Sequence, residues 1–206
     1  MNEEFTWKLL DKYFTDNPTS FIDHHLESYN NFFNGGINQI FREKNPIKIM
    51  KLQDPDTKVY KFVANLYLGG KDGNKIYFGK PIIFDELREH FMYPNEARLR
   101  NMTYGISIHY DVDVEFEISN DEGNVEKNEI VLEKILLGRF PIMLRSDLCI
   151  LKGFDKNVRF TMGECRNDMG GYFIIDGKEK VIISQEKFAD NMLYIRDKVN
   201  ELYSHS

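Results

Sequence analysis

The sequence predicts an α+β fold: a mixed, mainly antiparallel sheet preceded by N-terminal helices. Three observations carry this. The first 36 residues carry apolar residues at helical spacing. After Pro46 the texture changes to short β-prone runs broken by turn clusters. Ile106 to Ile118 then alternates apolar and polar residues with strict period two. With 206 residues, 42% of them apolar and 14% aromatic, the chain can bury one core.

From Thr6 to Phe14, Trp7, Leu10 and Phe14 recur at helical spacing, and Pro18 ends this first short helix. A second helix is expected from Ser20, a residue type that caps helices. Its stripe of Phe21, Ile22, His25, Leu26, Tyr29, Phe32 and Phe33 runs until Gly35 and Gly36 stop it. Ile47–Leu52, Val59–Leu68 and Lys75–Phe78 read as meander strands, and Pro81–Phe91, with Ile82, Ile83, Leu87 and Phe91, as a helix on that sheet. Ile106–Ile118 is expected to be a long strand with one buried and one wet face. Asn120–Asn124 forms its turn, and Val125–Leu137 its partner. Asp176-Gly177 marks a second hairpin within Gly171–Gln185, with Tyr172–Ile175 and Val181–Ile183 as arms covered on both faces. Met192, Ile195, Val199 and Leu202 would fit a closing helix over Asn191–Tyr203.

The composition narrows the chemistry. A net charge of −6 gives no global basic footprint, so any nucleic-acid contact must be local. Cys149 and Cys165 are too few for a disulfide framework, which suits a reducing compartment. No apolar leader or membrane-length run is present. Asp111, Asp113 and Glu115 invite comparison with carboxylate sets that hold magnesium. On a regular strand, however, they stand about 6–7 Å apart along one solvated face. Gly69-Gly70-Lys71 and Gly79-Lys80-Pro81 lack phosphate-loop spacing. His24, His25, His90 and His109 form no metal-ligand pattern, and no nucleophile motif is found. Arg98, Arg100, Arg139 and Arg145, embedded in apolar sequence, are expected to form buried or interfacial ion pairs.

Four stretches carry a resemblance: Tyr93–Tyr104, Gly138–Ser146, Gly170–Glu186 and, more weakly, Ser28–Phe32. They resemble the second-largest subunit of multisubunit DNA-directed RNA polymerases of the eukaryotic, archaeal or large-DNA-virus type, over roughly Trp7 to Asn191. The run Gly-Gly-Tyr-Phe-Ile-Ile-Asp-Gly-Lys-Glu-Lys-Val-Ile-Ile-Ser-Gln-Glu from Gly170 is the most diagnostic. Asp176 departs from the Asn common in that turn, and both types accept left-handed backbone.

The resemblance implies a polymerase protrusion-like domain. Residues 1–192 would be its first segment, and 193–206 the start of the lobe or a terminal tail. It implies no catalytic residue and no cofactor in this segment, with Mg2+ and Zn2+ held elsewhere in the polymerase. The implied partners are the largest and other polymerase subunits, the remainder of the second-largest subunit, template DNA and nascent RNA, with no membrane. Gln185, Lys180 and Lys178 would lie nearest the RNA–DNA hybrid. The expected location is intracellular: the nucleus, or a cytoplasmic viral factory or virion. A free-standing adaptor or assembly module with the same fold is the alternative. An independent enzyme ranks last, for want of a polar constellation.

Overall fold

The computed structural model describes residues 3–53, 55, 60–85, 88–119, 125–188, 191, 193–194 and 203–204. Helix α1 (Glu3–Asp16) buries none of its residues. Trp7, Leu10 and Phe14 are exposed, and Phe14 stacks on Phe21 at 5.3 Å. Helix α2 (Asp23–Asn31) passes through a π-helical turn (Phe32–Gly36) into α3 (Ile37–Lys44). This corrects both expected ends of the second helix. Ser20 provides no cap, and its hydroxyl is buried without a partner. Gly36 keeps helical angles, so the glycines mark a widened turn rather than a stop. The stop is Asn45, forced into extended backbone by the following Pro46. Its side chain bonds the Leu68 carbonyl and amide, each at 2.8 Å, which pins the helix end to the sheet.

The meander strands form as expected: β1 (Ile47–Gln53), β2 (Tyr60–Leu68) and β3 (Ile76–Phe78) join β6 (Gly105–Ser119) and β7 (Val125–Pro141) in one antiparallel five-stranded sheet. Strand β7 follows one edge of β6 from Gly105 to Ser119. Strands β2 and β3 therefore share the other edge, pairing with Val112–Ile118 and Ile108–Tyr110 respectively. The register places Ile47, Leu66, Val114 and Ile130 in one row and Leu68, Val112 and Leu132 in the next, giving an apolar face. That face is incompletely covered: Ile47 is 41% exposed, Ile130 49% and Leu132 46%.

The wet face of β6 differs from expectation at Asp111. A register shift between Tyr110 and Val112, with the extra residue on β7, leaves Asp111 without a ladder partner, and its side chain is buried. It accepts the Lys134 amide and the Tyr77 hydroxyl, each at 2.8 Å. The Lys134 amide holds the Asp111 carboxyl below its ordinary range, and Tyr77 adds to this. Asp113 pairs with Lys75 at 2.8 Å, and Glu115 pairs with Lys71.

The helix expected over Pro81–Phe91 is instead a hairpin of β4 (Ile82–Asp85) and β5 (Arg88–Phe91). Its base is closed by the Met92 amide donating to the Pro81 carbonyl at 2.8 Å. Among its described apolar residues only Ile83 is deeply buried, while Phe84 is 78% exposed. The residues alternate as a strand despite helix-like spacing of the sequence. Helix α4 (Pro94–Leu99) starts on a proline suited to the first helical turn. The short helix α5 (Lys156–Thr161) is capped by Asp155. Ile83, Met92, Ala97, Tyr104, Ile108 and Ile142 meet in one core, centred where α4 and the Ile142–Leu151 segment close over the Gly105 end of β6. The Tyr104 hydroxyl, wholly buried there, accepts the Ile150 amide at 3.1 Å.

The second hairpin is β8 (Phe173–Ile175) and β9 (Lys178–Lys180). Asp176 and Gly177 both have positive φ, +49° and +72°, as a two-residue primed turn requires. The returning arm is therefore Lys178–Lys180 rather than Val181–Ile183. The short loop fixes Phe173 opposite Lys180, and Gly171, at φ +80°, turns the chain away before Val181 could find a partner. Only β8 is covered on both faces. Strand β9 is exposed, as are Val181, Ile182 and Ile183. At the end of the chain, β10 (Leu193–Tyr194) pairs with β11 (Tyr203–Ser204). Met192, Ile195, Val199 and Leu202, which carried the expected closing helix, lie outside the described residues.

Candidate nucleic-acid interface

The β8–β9 hairpin is held at its strand edge and at its turn. The Tyr104 amide donates to the Ile174 carbonyl at 3.0 Å and the Leu144 amide to the Tyr172 carbonyl at 2.9 Å, seating β8 against the core. At the turn, the Thr103 hydroxyl donates to the Asp176 carboxylate at 3.2 Å and accepts the Asp176 amide at 3.1 Å. Gly177 lies so close to Asn101 that a Cβ would stand 2.8 Å from the Asn101 Cα, and the turn admits no other residue without displacement.

Arg98, projecting from α4, is the hub of the surrounding charges. Its Nη1 donates to both oxygens of Glu164 at 2.9 Å, its Nε to Glu179 at 2.9 Å and its Nη2 to the Tyr172 hydroxyl at 2.6 Å. Tyr172 in turn donates to Asp168 at 2.6 Å. The Glu164 side chain is 3% exposed and that of Glu179 56%, so one guanidinium spans from the interior to the surface. Burial pushes the Glu164 carboxyl up, against the pull of Arg98. Burial also raises the Tyr172 phenol, with Asp168 adding to it.

The other arginines behave differently from one another. Arg100 pairs at the surface with Asp85 at 2.6 Å and Glu96 at 3.0 Å, and the hydrogen bond from Arg100 draws Asp85 below its ordinary range. Arg139 donates to the Thr103 carbonyl at 3.2 Å and Arg145 to the Met169 carbonyl at 3.1 Å. Among the described residues neither has a carboxylate within ion-pairing distance, so at these two positions no ion pair forms within the described part of the chain. Carbonyls exposed by the turns at Thr103 and Met169 take the guanidinium donors instead. Burial lowers the Arg145 pKa, and Arg159 lowers it further.

Lys178, Lys180 and Gln185 fall on one exposed stretch, β9 and the irregular segment after it. In the antiparallel register Glu179 stands opposite the fully buried Ile174, on the side that meets Arg98. Alternation sends Lys178 and Lys180 to the other side. Among the described residues neither lysine is ion-paired. Ile182 borders an apolar cleft with Tyr29, Phe32, Phe140 and Phe173, so the same stretch carries cationic, amide and apolar groups in succession. Sequence reasoning missed Glu164, Asp168 and Tyr172 as partners of Arg98. Tyr172 and Glu179 stand in the diagnostic run itself, whereas nothing local marks Glu164, 66 positions away from Arg98.

Among the described residues no helix is long and apolar enough to cross a membrane. The RNA polymerase beta subunit family matches residues 20–204. The chain is 33% identical over 202 residues to the DNA-directed RNA polymerase II subunit RPB2 of Eremothecium gossypii, covering 93% of this chain and 16% of that protein. It is 35% identical over 174 residues to the DNA-directed RNA polymerase III subunit 2 of Arabidopsis thaliana, covering 84% of this chain and 13% of that one. It is 32% identical over 190 residues to the DNA-directed RNA polymerase subunit Rpo2N of Methanothermobacter thermautotrophicus, covering 92% of this chain and 32% of that one. The chain thus spans between about an eighth and a third of the length of these relatives. These are subunits of an enzyme complex, and this chain belongs to their family, corresponding to the amino-terminal region of the second-largest RNA polymerase subunit.

Proposed function

We propose that this chain works within a multisubunit DNA-directed RNA polymerase as the first segment of the protrusion, lining the cleft along the RNA–DNA hybrid. The observation that carries the reading is the β8–β9 hairpin. It lies within the family match, is anchored to the core, and presents Lys178, Lys180 and Gln185 in the open. Contacts to a hybrid fall mostly on phosphate and sugar, for which two ammonium groups without an ion-pair partner among the described residues, and an amide, are suitable donors. The incompletely covered apolar sheet face and the exposed apolar side of α1 support life within a larger assembly.

On this reading the nucleotidyl transfer and its Mg2+, and the Zn2+ sites, belong to other parts of the polymerase. In this segment the carboxylates nearest in sequence to a ligand set, Asp111, Asp113 and Glu115, are each engaged by protein donors. The partners are then the largest and other subunits, the remainder of the second-largest subunit, template DNA and nascent RNA. The place of action is wherever that polymerase transcribes, a nucleus or a viral factory.

The test is photocrosslinking in the assembled polymerase, with a benzophenone amino acid at position 185 and radiolabelled nascent RNA. Transfer of label to this chain, lost when the group is moved to the exposed surface of α1, is the expected result. Labelling equal at both positions, or absent from both, overturns the assignment.

A further inference from the structure

The hairpin presents two lysines on either side of an acid, Lys178-Glu179-Lys180. By composition alone Glu179 should weaken attraction to a polyanion. The geometry points to the opposite role: we propose that Glu179, clamped by Arg98, is a positioning residue that fixes which side of β9 the two lysines present to nucleic acid phosphates. The inference rests on the reading of this hairpin as a hybrid-facing element.

Strand β9 is three residues long and exposed throughout. Its ladder to β8 leaves its outer side free to twist. The only side chain of β9 with a charged partner among the described residues is Glu179, joined to Arg98 Nε at 2.9 Å. Arg98 is itself held by the bidentate Glu164 contact at 2.9 Å and by Tyr172 at 2.6 Å, so Glu179 docks on a fixed fork rather than on a mobile cation. With Glu179 drawn toward α4, alternation directs Lys178 and Lys180 away from the Arg98 cluster. Glu164, Asp168 and Glu179 would otherwise compete there for their ammonium groups. Arg98 thus both orients the lysines and occupies the carboxylates that could neutralise them.

The test makes the sign of the effect decisive. Binding of this chain to a fluorescein-labelled RNA–DNA hybrid is followed by anisotropy over a salt series. Four proteins are compared: wild type, the double variant Lys178→Gln/Lys180→Gln, Glu179→Gln, and the charge-matched control Glu186→Gln on the same exposed segment.

The double variant is expected to bind more weakly and to lower the slope of log K against log salt by up to about 1.8, about 0.9 for each phosphate that a lysine no longer neutralises. Glu186→Gln adds one positive unit and should tighten binding slightly. Glu179→Gln adds the same unit and should nevertheless weaken binding about threefold, the scale of an ion pair with one exposed partner. Its slope should shift toward that of the double variant.

If Glu179→Gln tightens binding as the control does, the positioning role is overturned while the hybrid-facing reading stands. If the double variant binds as wild type, or wild type does not bind at low salt, the hybrid-facing reading itself falls, and the positioning role with it. Because Glu179 is more than half exposed, its amide variant keeps the core intact. Matching amide-exchange protection at Ile106 and Ile108 verifies this.

Discussion

Truncating Arg98 to alanine would strand Glu164 in the interior, and the cost should depend on pH in a defined direction. The Glu164 side chain is 3% exposed, and both its oxygens receive Arg98 Nη1 at 2.9 Å. Removing one partner of such a pair costs about 3–5 kcal/mol, because the remaining charge is left uncompensated. Burial already raises the Glu164 carboxyl, and without Arg98 it rises further. A carboxyl whose folded pKa exceeds its unfolded value, about 4.3 for glutamate, binds protons more readily in the native state. The variant therefore loses stability as pH rises through the interval between the two values and regains it on acidification. Urea unfolding of Arg98→Ala at about pH 8 should show the full loss with an unchanged denaturant slope. At about pH 5 the loss should shrink toward about 1–3 kcal/mol, that of a buried neutral group without its partner. Arg98→Met combined with Glu164→Gln should recover much of the difference, since no charge remains unpaired. A loss below about 1 kcal/mol at the higher pH, or the same loss at both, would refute the assignment of Glu164 as a buried charge held by Arg98.

Gly177→Ala should lower stability by about 1–3 kcal/mol, read as a fall in Tm, because φ is +72° and the new Cβ would stand 2.8 Å from the Asn101 Cα. Ile174→Ala, at a wholly buried position under the hairpin, should cost about 2–5 kcal/mol in denaturant unfolding. Asp111→Asn should flatten the acid limb of a stability-versus-pH curve. The native carboxyl is held below its ordinary range, so its contribution is present above the unfolded aspartate value and lost as pH falls through the folded one. An acid limb identical to that of wild type would show that Asp111 does not titrate with folding.

The legible parts of this fold are those whose signal is local. Strict alternation in Ile106–Ile118 and the Asp176-Gly177 pair each specify their geometry within a few residues, and β6 and the hairpin turn follow them. The failures share a different cause. Pro81–Phe91 has helix-like apolar spacing, yet among its described residues only Ile83 is a deeply buried branched aliphatic, and which residue is buried is decided by the sheet and core it joins. Gly35 and Gly36 read as a stop because a π-helical turn has no simple sequence signature. Asp111 reads as a surface carboxylate because the bulge that buries it depends on the register of β7, a separate strand. For the candidate site, Lys178, Lys180 and Gln185 were visible as residue types in a recognised run, but their orientation was not. The partner that sets it, Arg98, lies 81 positions before Glu179.

That separation also reconciles an acidic chain with a cationic face. A net charge of −6 spread evenly would repel a phosphate backbone, and screening at physiological salt acts over about 8 Å. Local arrangement at that scale therefore outweighs the sum. On β9 the alternation of a strand converts a sequence of mixed sign into two sides of single sign. Arg98 then draws the acidic side inward, where Glu164, Asp168 and Tyr172 share one guanidinium. The lysines need no excess over the acids of the chain, only that the nearest acids already have a partner. For the same reason, substitution of a distant surface acid should matter less to hybrid binding than substitution of Glu179, although each alters the net charge by the same unit.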